Sequence, residues 1–174
     1  MLRDVYKTVL LFPEIPNELF VFIYEILIRD NVVIEILELV SKIAALHFQD
    51  WKDIDSGLLG STMINYALGP NTTYEAKKYY FIVAVRYYNY SEGYNADLAQ
   101  LALEFLEDLT VDCLVCLNSF ATSEWNDEES FINIMQQAAE ISRSIVDSDE
   151  VPQEIITFAT QFSSFVFERL QSNP

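Results

Sequence analysis

Two cysteines, Cys113 and Cys116, stand at the C-x-x-C spacing that carries thiol redox chemistry when the first thiolate is exposed at a helix N-terminus. Here the pair falls inside a Leu/Val-rich run, on its apolar side, so two buried packing thiols are expected. A zinc site would need further ligands, and the single histidine, His47, lies far away in sequence. His47 sits in Ala-Leu-His-Phe, the setting of a helix end near a core. Serine and cysteine nucleophiles are then left without a general base. Asp53-x-Asp55-x-Gly57 begins like a calcium loop, but its glycine comes one position early and Ile64 stands where the bidentate glutamate belongs. Four glycines and no glycine-rich motif exclude a phosphate cradle. No catalytic residue, metal or cofactor is expected, and the chain is read as a non-enzyme.

One enzymatic pattern remains. Glu35-x-x-Glu38 and Glu104-x-x-Glu107 each put two acids on roughly one helical face. These pairs resemble part of the motif of all-helical nucleotide pyrophosphohydrolases, a resemblance that implies Mg²⁺ held between helices for phosphoester hydrolysis. The chain departs from that family in the long separation of the pairs and in lacking flanking Lys or Arg for phosphate. The Glu-x-x-His of di-iron bundles is absent.

Charge is the stronger feature. Residues 1–86 hold 8 Lys/Arg against 11 Asp/Glu, net -3, and residues 87–174 hold 2 against 16, net -14. Between Arg86 and Arg143 no basic residue occurs. If residues 96–120 form one helix, Asp97, Glu104, Glu107, Asp108 and Asp112 share a stripe, opposite Leu98, Ala102, Leu106, Leu109, Cys113 and Phe120. Glu124, Asp127, Glu128 and Glu129 extend the acidic surface into the next helix. A solvated face kept for solubility accounts for such a stripe. So does a surface complementary to a basic partner.

Seven of the ten tyrosines fall between Tyr74 and Tyr94, interleaved with Lys77, Lys78 and Arg86. Stacking on single-stranded nucleic acid would use such residues, but the overall charge of -17 opposes it. Tyrosine also anchors protein interfaces. These tyrosines spread round the whole helical wheel, so some must pack internally. Tyr87, Tyr88, Tyr90 and Tyr94 are the expected exposed anchors, running into the acidic half.

The elements that must position these residues are helices. Apolar positions recur at helical spacing, no long segment alternates with period two, and the few glycines and prolines fall between periodic runs. Helices are expected at about 3–11, 17–29, 32–48, 58–68, 73–90, 96–120, 127–146 and 152–170. Pro13 and Pro16 end the first. Asn17, Asn31 and Asn95 act as caps or breaks, Thr72-x-x-Glu75 as a capping box, and Pro152 opens the last. Residues 50–56 are expected as a polar turn. The expected core comprises Phe22, Ile23, Ile26, Leu27, Ile36, Leu37, Val40, Ile43, Ile82, Val83, Leu106, Leu109, Cys113 and Phe165.

A chain of 174 residues, 51% apolar and 21% charged, is long enough for a substantial core and too apolar for disorder. The reading is one all-α domain, 1–174, an irregular bundle of six to eight helices, or alternatively a short α-helical repeat stack. No secretory signal or membrane span is recognised, so the two sequons, at Asn71 and Asn89, carry no weight and a cytoplasmic protein is expected. The functional expectation is a protein-binding module using its acidic surface, most concretely an inhibitor or immunity protein that neutralises a basic, nuclease-like toxin. Neither nucleic acid nor membrane is expected as a partner. The alternatives are a generic helical adaptor or the Mg²⁺-dependent hydrolase.

Overall fold

The computed structural model describes residues 17–29, 32–47, 56–123, 125, 128–147 and 151–172. These form eight α-helices, one short 3₁₀ helix and no strand, the all-α architecture that the periodicity predicts. The helices are α1 (Asn17–Leu27), α2 (Ile34–Leu46), α3 (Ser56–Ala67), α4 (Tyr74–Tyr87), α5 (Ala96–Glu104), α6 (Thr110–Ser123), α7 (Glu129–Val146) and α8 (Gln153–Ser172), with the 3₁₀ turn at Tyr90–Glu92. The helix expected at 3–11, the break at Asn31 and the calcium-like Asp53-x-Asp55 lie outside the described residues, as does the polar turn as far as Asp55.

By its internal contacts the chain divides into two compact units, Met1–Asn89 and Tyr90–Pro174.

In the first unit α3 packs most extensively on α4, α4 on α2, and α2 on α1. Gly60 lets α3 approach closely: a Cβ there would come within 2.9 Å of the Tyr87 backbone and 2.8 Å of the Tyr88 nitrogen. Tyr87 itself is buried, and its hydroxyl donates to the Ala44 carbonyl at 2.9 Å. Ala44 lies in the last turn of α2, where carbonyls lack partners within the helix, so Tyr87 caps a neighbouring helix.

Helix α4 starts one residue later than the capping-box reading requires. The Thr72 hydroxyl is taken up by the Tyr66 carbonyl at 2.7 Å, and Thr73 caps α4 by accepting from the Ala76 N–H at 3.3 Å. On α1, Ile23 and Leu27 are buried, but Phe22 is 57% exposed, a correction to the predicted core. The buried stripe of α1 runs through Phe20, Ile23 and Leu27, which turns the adjacent Val21 and Phe22 outward.

In the second unit α7 packs along α8, α5 reaches α6 and α7, and α6 reaches α8 and the 3₁₀ turn. The inward residues of α7 are Phe131, Ile134, Met135, Ala138, Ala139 and Ser142, an uninterrupted helical stripe. Asn95 caps α5 as its sequence predicts, accepting from the Leu98 N–H at 2.9 Å.

The single helix expected at 96–120 is corrected by the structure. It is two helices, α5 and α6, separated by a turn at residues 105–109. The Phe105 N–H is shared between the Leu101 and Leu103 carbonyls, and Asp108 donates back three residues to Phe105 at 3.0 Å. No proline or glycine forces this turn. It allows α5 and α6 to serve different neighbours and buries Phe105 and Leu106 almost completely. A straight helix would also hold Glu104–Asp108 and Asp108–Asp112 as repelling i,i+4 pairs.

Candidate functional site

The unit boundary at 89/90 falls where the charge changes. Residues 87–89 carry no charge, so the first unit has net charge -3 and the second -14. The predicted acids therefore belong to one compact body, but not to one helical stripe. Asp97 and Glu104 are exposed at the two ends of α5, Glu107 and Asp108 are exposed on the turn, and Asp112 is half-buried in the first turn of α6. Glu128 and Glu129 are exposed at the start of α7, where the positive end of the helix dipole favours carboxylates. Glu124 and Asp127 lie outside the described residues.

The two cations of this unit do not offset these acids by ion pairing with a described carboxylate. The Arg143 guanidinium lies 3.8 Å from the centre of the Phe167 ring, and that of Arg169 lies 5.3 Å from the Phe165 ring. Such cation–π contacts contribute about 0.5–2 kcal/mol and leave the surface field of the carboxylates in place. In the first unit, by contrast, Arg29 lies 3.8 Å from Glu25, and Lys42 donates to Glu38 at 2.5 Å, each one helical turn apart.

The four expected tyrosine anchors are corrected by their packing. Tyr87 is core, and Tyr88, Tyr90 and Tyr94 are half-buried. The Tyr90 ring lies 5.2 Å from Phe120 and its hydroxyl bonds to Cys116. Tyr94 stands edge-on between Phe120, at 5.4 Å, and Phe131, at 4.9 Å, with its hydroxyl buried. Burial raises the Tyr94 pKa, and the charge of Glu128 raises it further. These two rings therefore close the core of the acidic unit. Two exposed or half-exposed aromatics were missed by sequence pattern. Tyr74 is 52% exposed, with Lys78 over its ring at 5.9 Å. Trp125 is half-buried in the acidic linker before α7, 5.2 Å from Phe131 and 6.4 Å from Phe165. Tyr74 follows directly on the Thr73 cap as the first residue of α4. Trp125 shows as an isolated aromatic among acids.

Cys113 and Cys116 are free thiols buried in α6. Burial pushes the Cys116 thiol up to about 12, against a weaker pull from the Tyr90 hydroxyl, and raises Cys113 as well. Both are protonated, unreactive core groups at neutral pH. His47 closes α2, its ring 6.5 Å from Phe20. Of the paired glutamates, Glu38 is engaged by Lys42 and by the Tyr79 hydroxyl, and Glu107 lies off the helix that carries Glu104. Among the described residues no three His, Cys, Asp or Glu side chains converge as a metal centre requires. No described helix is long and apolar enough to cross a membrane. Set against known proteins, the chain matches no protein-family model, no curated protein and no solved structure.

Proposed function

We propose that the chain is a non-enzymatic, cytoplasmic protein-binding module that engages a basic protein through the acidic unit 90–174, most concretely as an inhibitor or immunity protein that neutralises a basic toxin. One observation carries this reading: a net charge of -14 is gathered on one compact unit whose own two cations are seated on phenylalanine rings. Exposed carboxylates at Asp97, Glu104, Glu107 and Asp108 then stand in for the phosphates that a basic active site recognises. Long-range attraction steers encounter, with association at about 10⁸–10⁹ M⁻¹s⁻¹ at low salt for such pairs.

The test is affinity capture from the native host's lysate with rising salt, comparing wild type with a Glu107→Lys, Asp108→Lys variant. One basic protein held by wild type and released by the folded variant is expected. Its activity is then assayed with and without the chain. Several partners held equally by both proteins would instead favour an adaptor, and would reduce the acidic surface to a solubility device.

A further inference from the structure

The first unit contains a cleft of about 440 Å³ between the start of α2, the end of α3 and the turn into α4. This volume is in the range of small-molecule sites. Its frame is tied by hydrogen bonds: the Tyr66 hydroxyl donates to the Ile28 carbonyl at 2.7 Å, and Thr72 ties the turn back to Tyr66. The rings of Tyr66 and Tyr80 meet nearly edge-on at 5.5 Å and give the cleft aromatic surface, and Ile34 and Ala76 add aliphatic surface.

The described polar lining is neutral: among the described residues no charged side chain contributes to it. Asn65 and Asn71 both line the cleft and are exposed, and neither side chain is committed to a hydrogen bond within the described residues. Each carboxamide offers an acceptor oxygen and two N–H donors. An ionised ligand would lose hydration here without meeting a counter-charge. A ring with its own adjacent donor and acceptor would satisfy the carboxamides while covering the aromatic and aliphatic wall.

We propose that this cleft binds a small uncharged heterocycle through an amide-type donor–acceptor edge, recognised by Asn65 and Asn71, with the ring set against Tyr66 and Tyr80. The site belongs wholly to the first unit and is independent of the acidic surface of the second.

Three matched probes test it on the full chain. Uracil carries the edge without charge, orotate carries the same edge with a carboxylate, and pyrimidine is the ring without the edge. In a two-dimensional NMR titration, uracil is expected to shift the Asn65 and Asn71 side-chain amide signals and the Ala76 backbone signal to saturation. Binding at least about fivefold tighter than for orotate or pyrimidine is expected, since unpaired polar groups discriminate against a ligand lacking the edge. Asn71→Leu should weaken uracil about tenfold, the equivalent of about 1.4 kcal/mol. Ala76→Phe should abolish binding by filling the cleft. Far-UV circular dichroism checks that both variants fold, and Asn71→Leu decides alone if Ala76→Phe does not. Absence of a saturable shift with uracil overturns the proposal. So does equal binding of pyrimidine or orotate, or uracil binding unchanged in Asn71→Leu.

Discussion

The two units use one kind of secondary structure and handle charge in opposite ways. The first has 8 cations for 11 acids, and pairs some of them at helical spacing, as in Glu25–Arg29 and Glu38–Lys42. The second has 2 cations for 16 acids and places both on phenylalanine rings. Both still bury helical stripes of apolar side chains. Folding in the second unit therefore rests on its aromatic and aliphatic core, while its surface carries a repulsive charge that contributes nothing to compactness. The two units thus combine similar apolar cores with very different surface charge.

The sharpest way to break the comparison is through the core of the acidic unit. Phe120 is fully buried and touches Tyr90 and Tyr94. Phe120→Ala should cost about 3–5 kcal/mol in urea unfolding. Native-state hydrogen exchange should place the loss in residues 96–172. Protection lost equally across α2–α4 would mean that the two units do not differ in what holds them.

Alkali gives the next largest effect. The folded pKa of Cys116 lies above its unfolded value, so its stabilising contribution is complete below about pH 9 and is lost as pH climbs toward about 12. Urea midpoints measured across that window should fall in wild type and fall less steeply in Cys116→Val. Parallel curves would remove this thiol as the source.

In the first unit, Tyr87→Phe should cost about 1–3 kcal/mol, because the Ala44 carbonyl loses its hydroxyl partner in a buried setting. Thermal unfolding measures it, and an unchanged midpoint would show the carbonyl satisfied in another way. The smallest effect on stability is expected from Glu107→Lys with Asp108→Lys. Both residues are exposed on the 105–109 turn, and the change should stay within about 0.5 kcal/mol while reversing the local field. A large loss of stability there would show that the acids are structural.

Helix periodicity makes most of the fold legible in the sequence. The stripes of α2 and α7, the Asn95 cap and the burial of the C-x-x-C pair all follow from spacing and residue type. The turn at 105–109 does not. Its residues keep helical spacing and include no breaker, and the decision is made by the neighbours that α5 and α6 each meet. The Thr73 cap is missed for a related reason, since only the fold shows that Thr72 is occupied by Tyr66. The acids were legible as a population and not as a stripe, because the wheel assumed one continuous helix. The tyrosines were the least legible. A ring that anchors a partner and a ring that closes a core have the same composition signature, and Tyr90 and Tyr94 are separated from Tyr74 only by what packs beside them.

The contact at Gly60 also bears on sequence drift. Its hydrogen atom is all that fits against the Tyr87–Tyr88 peptide unit, and Tyr87 also closes the end of α2. Three helices thus meet at one residue, Tyr87, through its backbone and its hydroxyl. In a saturation library this position should accept glycine alone, whereas the outward Val21 and Phe22 should tolerate most polar replacements. Mutational tolerance in the first unit would then be sharply uneven, with its narrowest point at a residue that has no side chain.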